Sequence, residues 1–208
     1  MIIYGFPKTR ALRAVWTAEE AGVAYDYRHV DLMKGEARTR EFLRLNLAGK
    51  VPVLIDEDMI LTESAAICNY IARSRPEQAL VPTDLHGLAR FEQWCSFVET
   101  ELEQPLWTIA KHRYALAKEL RVPAVIDTAK WEYERALKVM QRGINDGEYL
   151  VWDEFTVADI MVIGNANGRP VLHDLGKLNP KLQPAVGTFI MGVVLVTCEE
   201  QQVRILDL

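Results

Sequence analysis

Cysteine is scarce in this 208-residue sequence, and no two cysteines lie close together. The chain has three, Cys68, Cys95 and Cys198, and it lacks a Cys-x-x-Cys motif. An odd and widely spaced set excludes both the disulfide framework of a small secreted domain and a cysteine zinc site. His29, His86 and His173 are too scattered to suggest metal ligation. We therefore expect a protein of a reducing, cytoplasmic compartment that needs no metal.

Excess positive charge and long apolar runs are also missing. Lysine and arginine total 24 against 29 aspartates and glutamates, which gives a net charge of −5. Without a basic stripe, nucleic acid is disfavoured as a partner. The longest apolar run, Phe189–Val196, falls far short of the roughly 20 residues that span a bilayer. Met1–Tyr4 enters a strand-like run with no basic leader, so we expect neither membrane association nor a secretory signal.

Strand and helix patterns alternate over the first third of the chain. Short apolar segments bounded by glycine and proline, typical of strands, are separated by segments whose apolar residues have helical spacing. The predicted order is β-α-β-α-β-β-α. The predicted elements are a strand at Ile2–Tyr4, a helix from Arg10 to Gly22 with Thr9 at its N-cap, a strand at Tyr25–Leu32, a weak helix at Glu36–Leu45, a hairpin of Val51–Ile55 and Met59–Leu61, and a helix at Glu63–Arg73.

Strand signals disappear in the second part of the chain. Apolar residues over Phe91–Leu106 recur at three- and four-residue steps, which predicts a long amphipathic helix with a kink at Pro105. Pro123 is typical of the first turn of another helix. Thr156 and Asp159 have the spacing of a capping box, in which Thr156 caps the Asp159 amide while the Asp159 carboxylate reaches back.

These patterns predict an α/β domain over residues 1–75, a linker over 76–85 and an all-helical domain over 86–208. The last segment is atypical, because from Gly164 onward glycine and proline interrupt every helical run just after a helix has been capped. We expect residues 164–208 to fold poorly, and we hypothesise that they arise from a reading-frame change or a divergent terminus.

Four motifs, in this order and at this spacing, resemble the glutathione S-transferase family. They are Tyr4-Gly5-Phe6-Pro7-Lys8-Thr9-Arg10, Glu19-Glu20-Ala21-Gly22, Gly49-Lys50-Val51-Pro52-Val53-Leu54 and Leu61-Thr62-Glu63-Ser64-Ala65-Ala66-Ile67. The capping box is similar to a folding motif of the family's helical domain, so the resemblance covers residues 1–163. It implies a thioredoxin-like N-terminal domain followed by an all-α C-terminal domain, glutathione as co-substrate, and a homodimer formed through the long helix and the Glu63–Arg73 helix.

The resemblance implies a cis bond at Val51–Pro52. That geometry would turn the Val51 amide and carbonyl outward to pair with the cysteinyl part of glutathione. Taken alone, the pair is also compatible with an ordinary edge-strand proline. Lys50 could bind the glycyl carboxylate as a point charge or be a solvated surface lysine, and Arg38 and Arg40 are the alternatives.

Glu63 and Ser64 stand at a predicted helix start. Free amides and a positive partial charge make such an end a site for a carboxylate. Ser64 could hold the γ-glutamyl carboxylate through its hydroxyl and amide, and Glu63 could pair with the α-amino group. The alternative is simple helix capping by Thr62 or Ser64.

Thr9 is the predicted catalytic hydroxyl. The arrangement Gly-x-Pro-x-Thr resembles the serine- and threonine-type, bacterial-like members of the family, which place this hydroxyl near the glutathione sulfur. One hydrogen bond to a thiolate contributes roughly 1.5–3 kcal/mol, or about one to two units of thiol pKa. Simple helix capping by Thr9 and catalysis by Tyr4 are the alternatives. No cysteine lies in Phe6–Arg10, which disfavours disulfide-forming chemistry there.

The second substrate is expected to be a small hydrophobic electrophile. Trp107, His112 and Arg113 are candidates for its pocket, although core packing is a common role for such a tryptophan. The resemblance implies a transferase that conjugates glutathione to electrophiles in detoxification. Two alternatives remain open: a glutathione-dependent peroxidase or disulfide reductase, and a non-catalytic protein that binds glutathione or a protein partner.

Overall fold

A computed structural model of the chain describes residues 1–7, 9–144, 149–151, 154–162, 197–199 and 202–204. Its N-terminal part is built on a four-stranded sheet of β1 (Ile2–Gly5), β2 (Asp26–His29), β3 (Val53–Asp56) and β4 (Met59–Thr62). The strand order is β2-β1-β3-β4, in which β1 and β2 are parallel and the other two pairs are antiparallel. This is the predicted thioredoxin-like topology.

Helices cover the two faces of the sheet. Helices α1 (Ala11–Glu20) and α3 (Ser64–Arg73) pack together, and Ile3 of β1 is buried in the same core. Helix α2 (Arg40–Leu45) belongs to a second cluster, in which Phe42 packs with Val53. Successive side chains of a strand point to opposite faces, so the two clusters lie on opposite sides of the sheet.

Local hydrogen bonds set the ends of these elements. Gly22 has a φ of +62°, and the Val23 amide donates to Ala18 O at 2.9 Å, which is the predicted glycine end of α1. The predicted helix over 36–45 is divided in two, a 3₁₀ turn at Glu36–Arg38 and then α2. It is divided because Thr39 is extended and its hydroxyl accepts from the Phe42 amide.

The helical part begins with the long rod, a run of consecutive helical segments from Leu85 to Ala115. Helix α4 (Leu85–Phe97), capped by Asp84, continues through a π-helical segment at Val98–Glu103, α5 (Gln104–Ala110) and a second π-helical segment at Lys111–Ala115. Pro105, where a kink was predicted, lies in the first turn of α5, just after the first π-helical segment, and has no N–H to donate to the carbonyl four residues before it.

Two further helices complete the described part of this half. Helix α6 (Val125–Ile144) packs on α5, and the short α7 (Val157–Val162) packs on α1, α3 and α4. Pro123 lies in the turn before α6 rather than in its first turn, and the Ile126 amide donates to Pro123 O at 3.1 Å. A 3₁₀ turn at Pro76–Gln78 lies in the predicted linker, and another lies at Lys118–Leu120.

The expectation for residues 164–208 lies outside the described residues, apart from two short strands. These are β5 (Thr197–Glu199) and β6 (Gln202–Arg204), which pair antiparallel. Among the helices that the structure describes, none is both long and apolar enough to cross a membrane.

Gly143 near the end of α6 allows a close approach to Trp94. A Cβ built on Gly143 would lie 2.4 Å from Trp94 Cη2, and Trp94 is buried against Phe97. We expect Gly143→Ala to lower the free energy of unfolding by about 1–3 kcal/mol through overpacking, despite the better helix propensity of alanine. Urea unfolding would measure it beside Lys138→Ala, an exposed position of α6. A Gly143→Ala protein at least as stable as the parent would contradict this prediction.

Candidate glutathione site

Three sequence motifs meet at one edge of the sheet. Tyr4 of β1 pairs with Val53 of β3, which pairs in turn with Thr62 of β4. Each of these residues lies beside a predicted binding segment. The segments are the turn Phe6–Arg10 after β1, Val51–Pro52 before β3, and Glu63–Ser64 after β4. Because these strand ends are neighbours, the register brings all three segments together.

Thr9 lies in the turn that leads into α1. Its hydroxyl donates to Phe6 O at 2.6 Å and accepts from the Ala11 amide at 3.3 Å. The N-cap residue of α1 is Arg10, whose side chain makes no capping bond, so the predicted N-cap position of Thr9 is one residue too early. The hydroxyl still satisfies an amide of the first turn. Since a hydroxyl has one proton, Thr9 must release Phe6 O before it can donate to a sulfur.

Tyr4, the alternative to Thr9, lies against the other helix layer. Its ring contacts Phe42 of α2 in an edge arrangement with centroids 6.1 Å apart. It packs with Val53 and Val51 in the smaller cluster, away from α1 and α3.

The Val51–Pro52 bond is cis, as the resemblance implies. Within the described residues, no backbone hydrogen bond joins the Val51 amide or carbonyl to another part of the chain. The Lys50 side chain is exposed, and the Lys50 carbonyl accepts from Asn46 Nδ2 at 2.8 Å. These free main-chain groups lie just before the start of β3 and can pair with the main chain of an added peptide segment, so this loop is chemically suited to bind one.

Arg38 supports the same loop from below. Its Nη1 donates to Ala48 O at 3.2 Å. Gly49 has a φ of +59°, and a Cβ there would lie 2.7 Å from Ala37 O and 2.8 Å from Arg38 Nη1. Only glycine fits at this position, and Arg38 acts here as a brace for the loop.

Helix α3 begins at the same edge. Glu63 is exposed and has a φ of +66° and a ψ of 121°, a backbone conformation that is costly for a residue with a side chain. Ser64 is 5% exposed, and its hydroxyl accepts from Arg13 Nη1 at 3.5 Å. Because the Ser64 hydroxyl is an acceptor in this bond, its proton remains available to an anion, as do the free backbone amides at the start of α3.

Arg13 is the residue that the sequence analysis missed. It lies on α1, is only 2% exposed, and donates from Nη1 to Glu103 Oε2 at 3.0 Å and from Nη2 to Met161 O at 2.6 Å. Its Nε has no hydrogen-bond partner in the structure. A buried guanidinium beside the start of α3 adds positive charge where the helix already favours an anion.

Two carboxylates of the long rod face this arginine. Burial raises the pKa of Glu103, but the charges and hydrogen bonds of Arg13 and Arg10 outweigh it and leave that pKa below its ordinary value. Burial, and then the charge of Glu103, raise the pKa of Glu99. Glu103 is thus the ionised partner of both arginines.

The predicted pocket residues follow along the rod. Trp107 is 36% exposed, and the Arg10 guanidinium lies 5.9 Å from its ring centroid. This contact brings Trp107 beside the Thr9 turn. His112 Nδ1 accepts from the Val122 amide at 3.0 Å, and both His112 and Arg113 are half-buried in the second π-helical segment. His112 thereby holds the segment before α6, and among the described residues it makes no hydrogen bond to the Thr9 turn.

The cysteines in the described core are poor nucleophiles. Cys68 and Cys95 are free and buried. Burial raises the pKa of the Cys68 thiol to about 11 and raises that of Cys95 as well, so both are protonated at neutral pH. The described residues also contain no group of three or more His, Cys, Asp or Glu side chains that could hold a metal. Neither Cys68 nor Cys95 is therefore suited to supply a reactive thiolate.

Comparison with known proteins agrees with the resemblance found in the sequence motifs. Residues 1–73 match the glutathione S-transferase N-terminal domain family. The chain is 34% identical over 153 residues to glutathione S-transferase F10 of Arabidopsis thaliana, covering 71% of each protein. It is 33% identical over 143 residues to glutathione S-transferase 1 of Dianthus caryophyllus, covering 68% of this chain and 64% of that one. It is also 31% identical over 161 residues to elongation factor 1-gamma of Prunus avium, covering 77% of this chain but 38% of that protein.

Solved structures have the same fold as the described part of the chain. Human glutathione transferase theta-2, in complex with glutathione, superposes with a TM-score of 0.76 at 23% identity and covers 91% of this chain and 88% of its own. BphK, a bacterial glutathione S-transferase solved as a ternary complex, gives a TM-score of 0.69 at 26% identity and covers 91% and 90%. With the geometry of the sheet edge and relatives above 30% identity, the conclusion is that the chain belongs to the glutathione S-transferase family.

Proposed function

We propose that this protein is a glutathione transferase, which binds glutathione at the sheet edge and activates its thiol for attack on small hydrophobic electrophiles. The observation that carries the proposal is the register Tyr4–Val53–Thr62, which gathers a hydroxyl, free main-chain groups and a helix start at one place. Structures of family members with bound glutathione support the choice of ligand.

Each part of the tripeptide has a proposed partner. The Val51 amide and carbonyl pair with the cysteinyl residue, beside the cis Pro52, as an added strand does. Ser64 and the start of α3 hold the γ-glutamyl carboxylate, and Glu63 binds the α-amino group. Lys50, exposed on the loop, binds the glycyl carboxylate.

Arg13 reinforces the γ-glutamyl site from behind. Its buried guanidinium donates a hydrogen bond to Ser64 Oγ, which orients the hydroxyl. The same group adds positive potential to the site although solvent does not reach it. Thr9 donates to the sulfur, and the position of Tyr4 against Phe42 supports Thr9 over Tyr4. Trp107 forms the nearest wall for the electrophile, and His112 and Arg113 lie farther along the rod.

Thr9→Ala tests the catalytic assignment. Because one hydrogen bond to a thiolate contributes roughly 1.5–3 kcal/mol, we expect kcat to fall at least about tenfold while the Kd of glutathione changes little. Thr9→Ser keeps the hydroxyl and should keep most of the rate. Steady-state kinetics with an aryl halide and calorimetry with glutathione measure the two quantities. A Thr9→Ala protein with an unchanged rate would transfer the role to Tyr4 or to a backbone amide.

The reaction class needs its own experiment. A glutathione thiolate can attack an electrophile, reduce a hydroperoxide or open a mixed disulfide, so turnover of an aryl halide is compared with that of a hydroperoxide. We expect conjugation to dominate, because the Phe6–Arg10 turn has no cysteine to form a disulfide intermediate. Detoxification of electrophiles in the cytoplasm, by a homodimer, completes the proposal, and a sizing column tests the dimer.

A non-catalytic role is the second candidate. The observation that favours it is the 31% identity with elongation factor 1-gamma, close to the values for the transferases. Retention on immobilised glutathione separates the two candidates. A protein that passes straight through the column would leave only partner binding, whereas retention with turnover supports the transferase.

A further inference from the structure

One carboxylate of the helical part holds the first turn of α1. Glu103 accepts from Arg10 Nε through Oε1, and from Arg13 Nη1 through Oε2 at 3.0 Å. Arg10 and Arg13 lie three residues apart on the same helix face, so a single carboxylate spans that turn. The Glu103 side chain is only 13% exposed, so little water competes for its oxygens.

Arg10 is the residue that follows Thr9. It is fixed from two sides by groups of the long rod, the Glu103 carboxylate and the Trp107 ring. The turn that carries Thr9 is closed by the hydroxyl bond to Phe6 O, which has to open when the hydroxyl turns to a sulfur. At that moment the contacts of Arg10 hold the end of the turn.

We propose that Glu103 is a positioning residue for Thr9, acting through Arg10 to keep the hydroxyl within hydrogen-bond distance of the bound thiolate. The inference rests on the proposed function of Thr9. Hydrogen bonds weaken steeply with distance and angle, so a small shift of the turn costs much of the bond. The helical domain then takes part in thiol activation as well as forming a wall of the pocket.

The direction in which Glu103→Gln changes the pKa of the bound glutathione thiol distinguishes a positioning role of Glu103 from a purely electrostatic effect of its charge. Glu103→Gln removes a negative charge near the sulfur, and charge alone would lower the pKa of the bound glutathione thiol. A displaced Thr9 hydroxyl would instead raise that pKa, because the thiolate loses its donor. We expect a raised thiol pKa and a kcat lower by roughly fivefold.

The experiment is a double-mutant cycle of Thr9→Ala and Glu103→Gln in the full chain. The pH dependence of kcat with an aryl halide and the ultraviolet absorbance of the bound thiolate report its pKa. Glu101→Gln, an exposed acid of the same π-helical segment, is the matched control and should behave like the parent. If Glu103 acts through Thr9, Glu103→Gln no longer raises the thiol pKa once Thr9 is alanine.

Each outcome decides a separate point. A thiol pKa that is unchanged or lowered in Glu103→Gln, or raised equally in both Thr9 backgrounds, overturns the inference while the proposed function stands. Thr9→Ala without any effect removes the assumed role of Thr9 instead. If Glu103→Gln does not fold, Arg10→Met replaces it, because that variant leaves the Arg13–Glu103 pair intact. Its positioning effect must also vanish when Thr9 is alanine, and a shift that persists there overturns the inference.

Discussion

Asp159→Ala is expected to lower the free energy of unfolding by about 3–5 kcal/mol, since it strips three donors of their acceptor in a dry site. Asp159 is fully buried. Its Oδ1 accepts from the Leu150 amide at 2.9 Å, and its Oδ2 accepts from the Thr156 amide at 2.9 Å and from Thr156 Oγ1 at 3.1 Å. The carboxylate therefore ties the start of α7 to the segment before it.

Urea unfolding of graded variants measures this cost. Asp159→Asn keeps one carbonyl oxygen but puts an amide nitrogen where an acceptor is required, so its loss should be intermediate. Glu132→Ala, an exposed acid of α6, is the control and should stay within about 0.5 kcal/mol of the parent. An Asp159→Ala protein that unfolds at the same urea concentration as the parent would show that water replaces the carboxylate.

The capping box at Thr156 and Asp159 was only partly predictable from the sequence. The spacing of Thr156 and Asp159 predicted the start of α7 and the return of the carboxylate to the Thr156 amide, and both are present. The Thr156 hydroxyl accepts from the Ala158 amide instead of the Asp159 amide. The Leu150 amide also donates to the Asp159 carboxylate, and no residue spacing in the sequence predicts that these two segments lie close together.

Local chemistry explains which boundaries were predictable. Gly22 ends α1 as expected because its positive φ is a property of one residue. Proline limits where a helix starts but leaves the start free within a turn, which is why α6 begins after Pro123. The π-helical segments do not change which residues are apolar, so the three- and four-residue spacing that predicted one long helix does not predict them.

The candidate site was predictable where function depends on backbone shape. The cis bond before Pro52 was implied by the resemblance of the motif around it and is present, and the start of α3 beside Glu63 and Ser64 was predicted from the helical pattern that follows them. Arg13 was not predictable in the same way, because an arginine on an amphipathic helix is ordinarily solvated. Its signal was its position among Ala14, Trp16 and Thr17, residues that are all buried with it.

The second large effect is expected at Arg13. Arg13→Met leaves Glu103 with a single partner in a nearly dry site and removes the hydrogen bond that Arg13 Nη2 donates to Met161 O, so we expect a loss of roughly 3 kcal/mol or more in the free energy of unfolding. The arginine joins α1 to the start of α3, to the end of the first π-helical segment and to α7, and the loss should appear as a single cooperative shift of the unfolding transition.

Two comparisons make the Arg13 prediction specific. The pKa of Glu103 is lowered in the folded protein, so its ion pairs stabilise the fold above the ordinary carboxyl pKa, and this stability is lost as the pH falls through the lowered value. The loss of unfolding free energy in Arg13→Met should therefore be largest near neutral pH and smallest in acid.

Arg13→Met combined with Glu103→Leu removes the whole pair and should recover part of that loss, since replacing a buried ion pair with apolar groups often does not lower stability. A cost that is equal at all pH values, with no recovery in the double variant, would mean that Arg13 acts through packing alone.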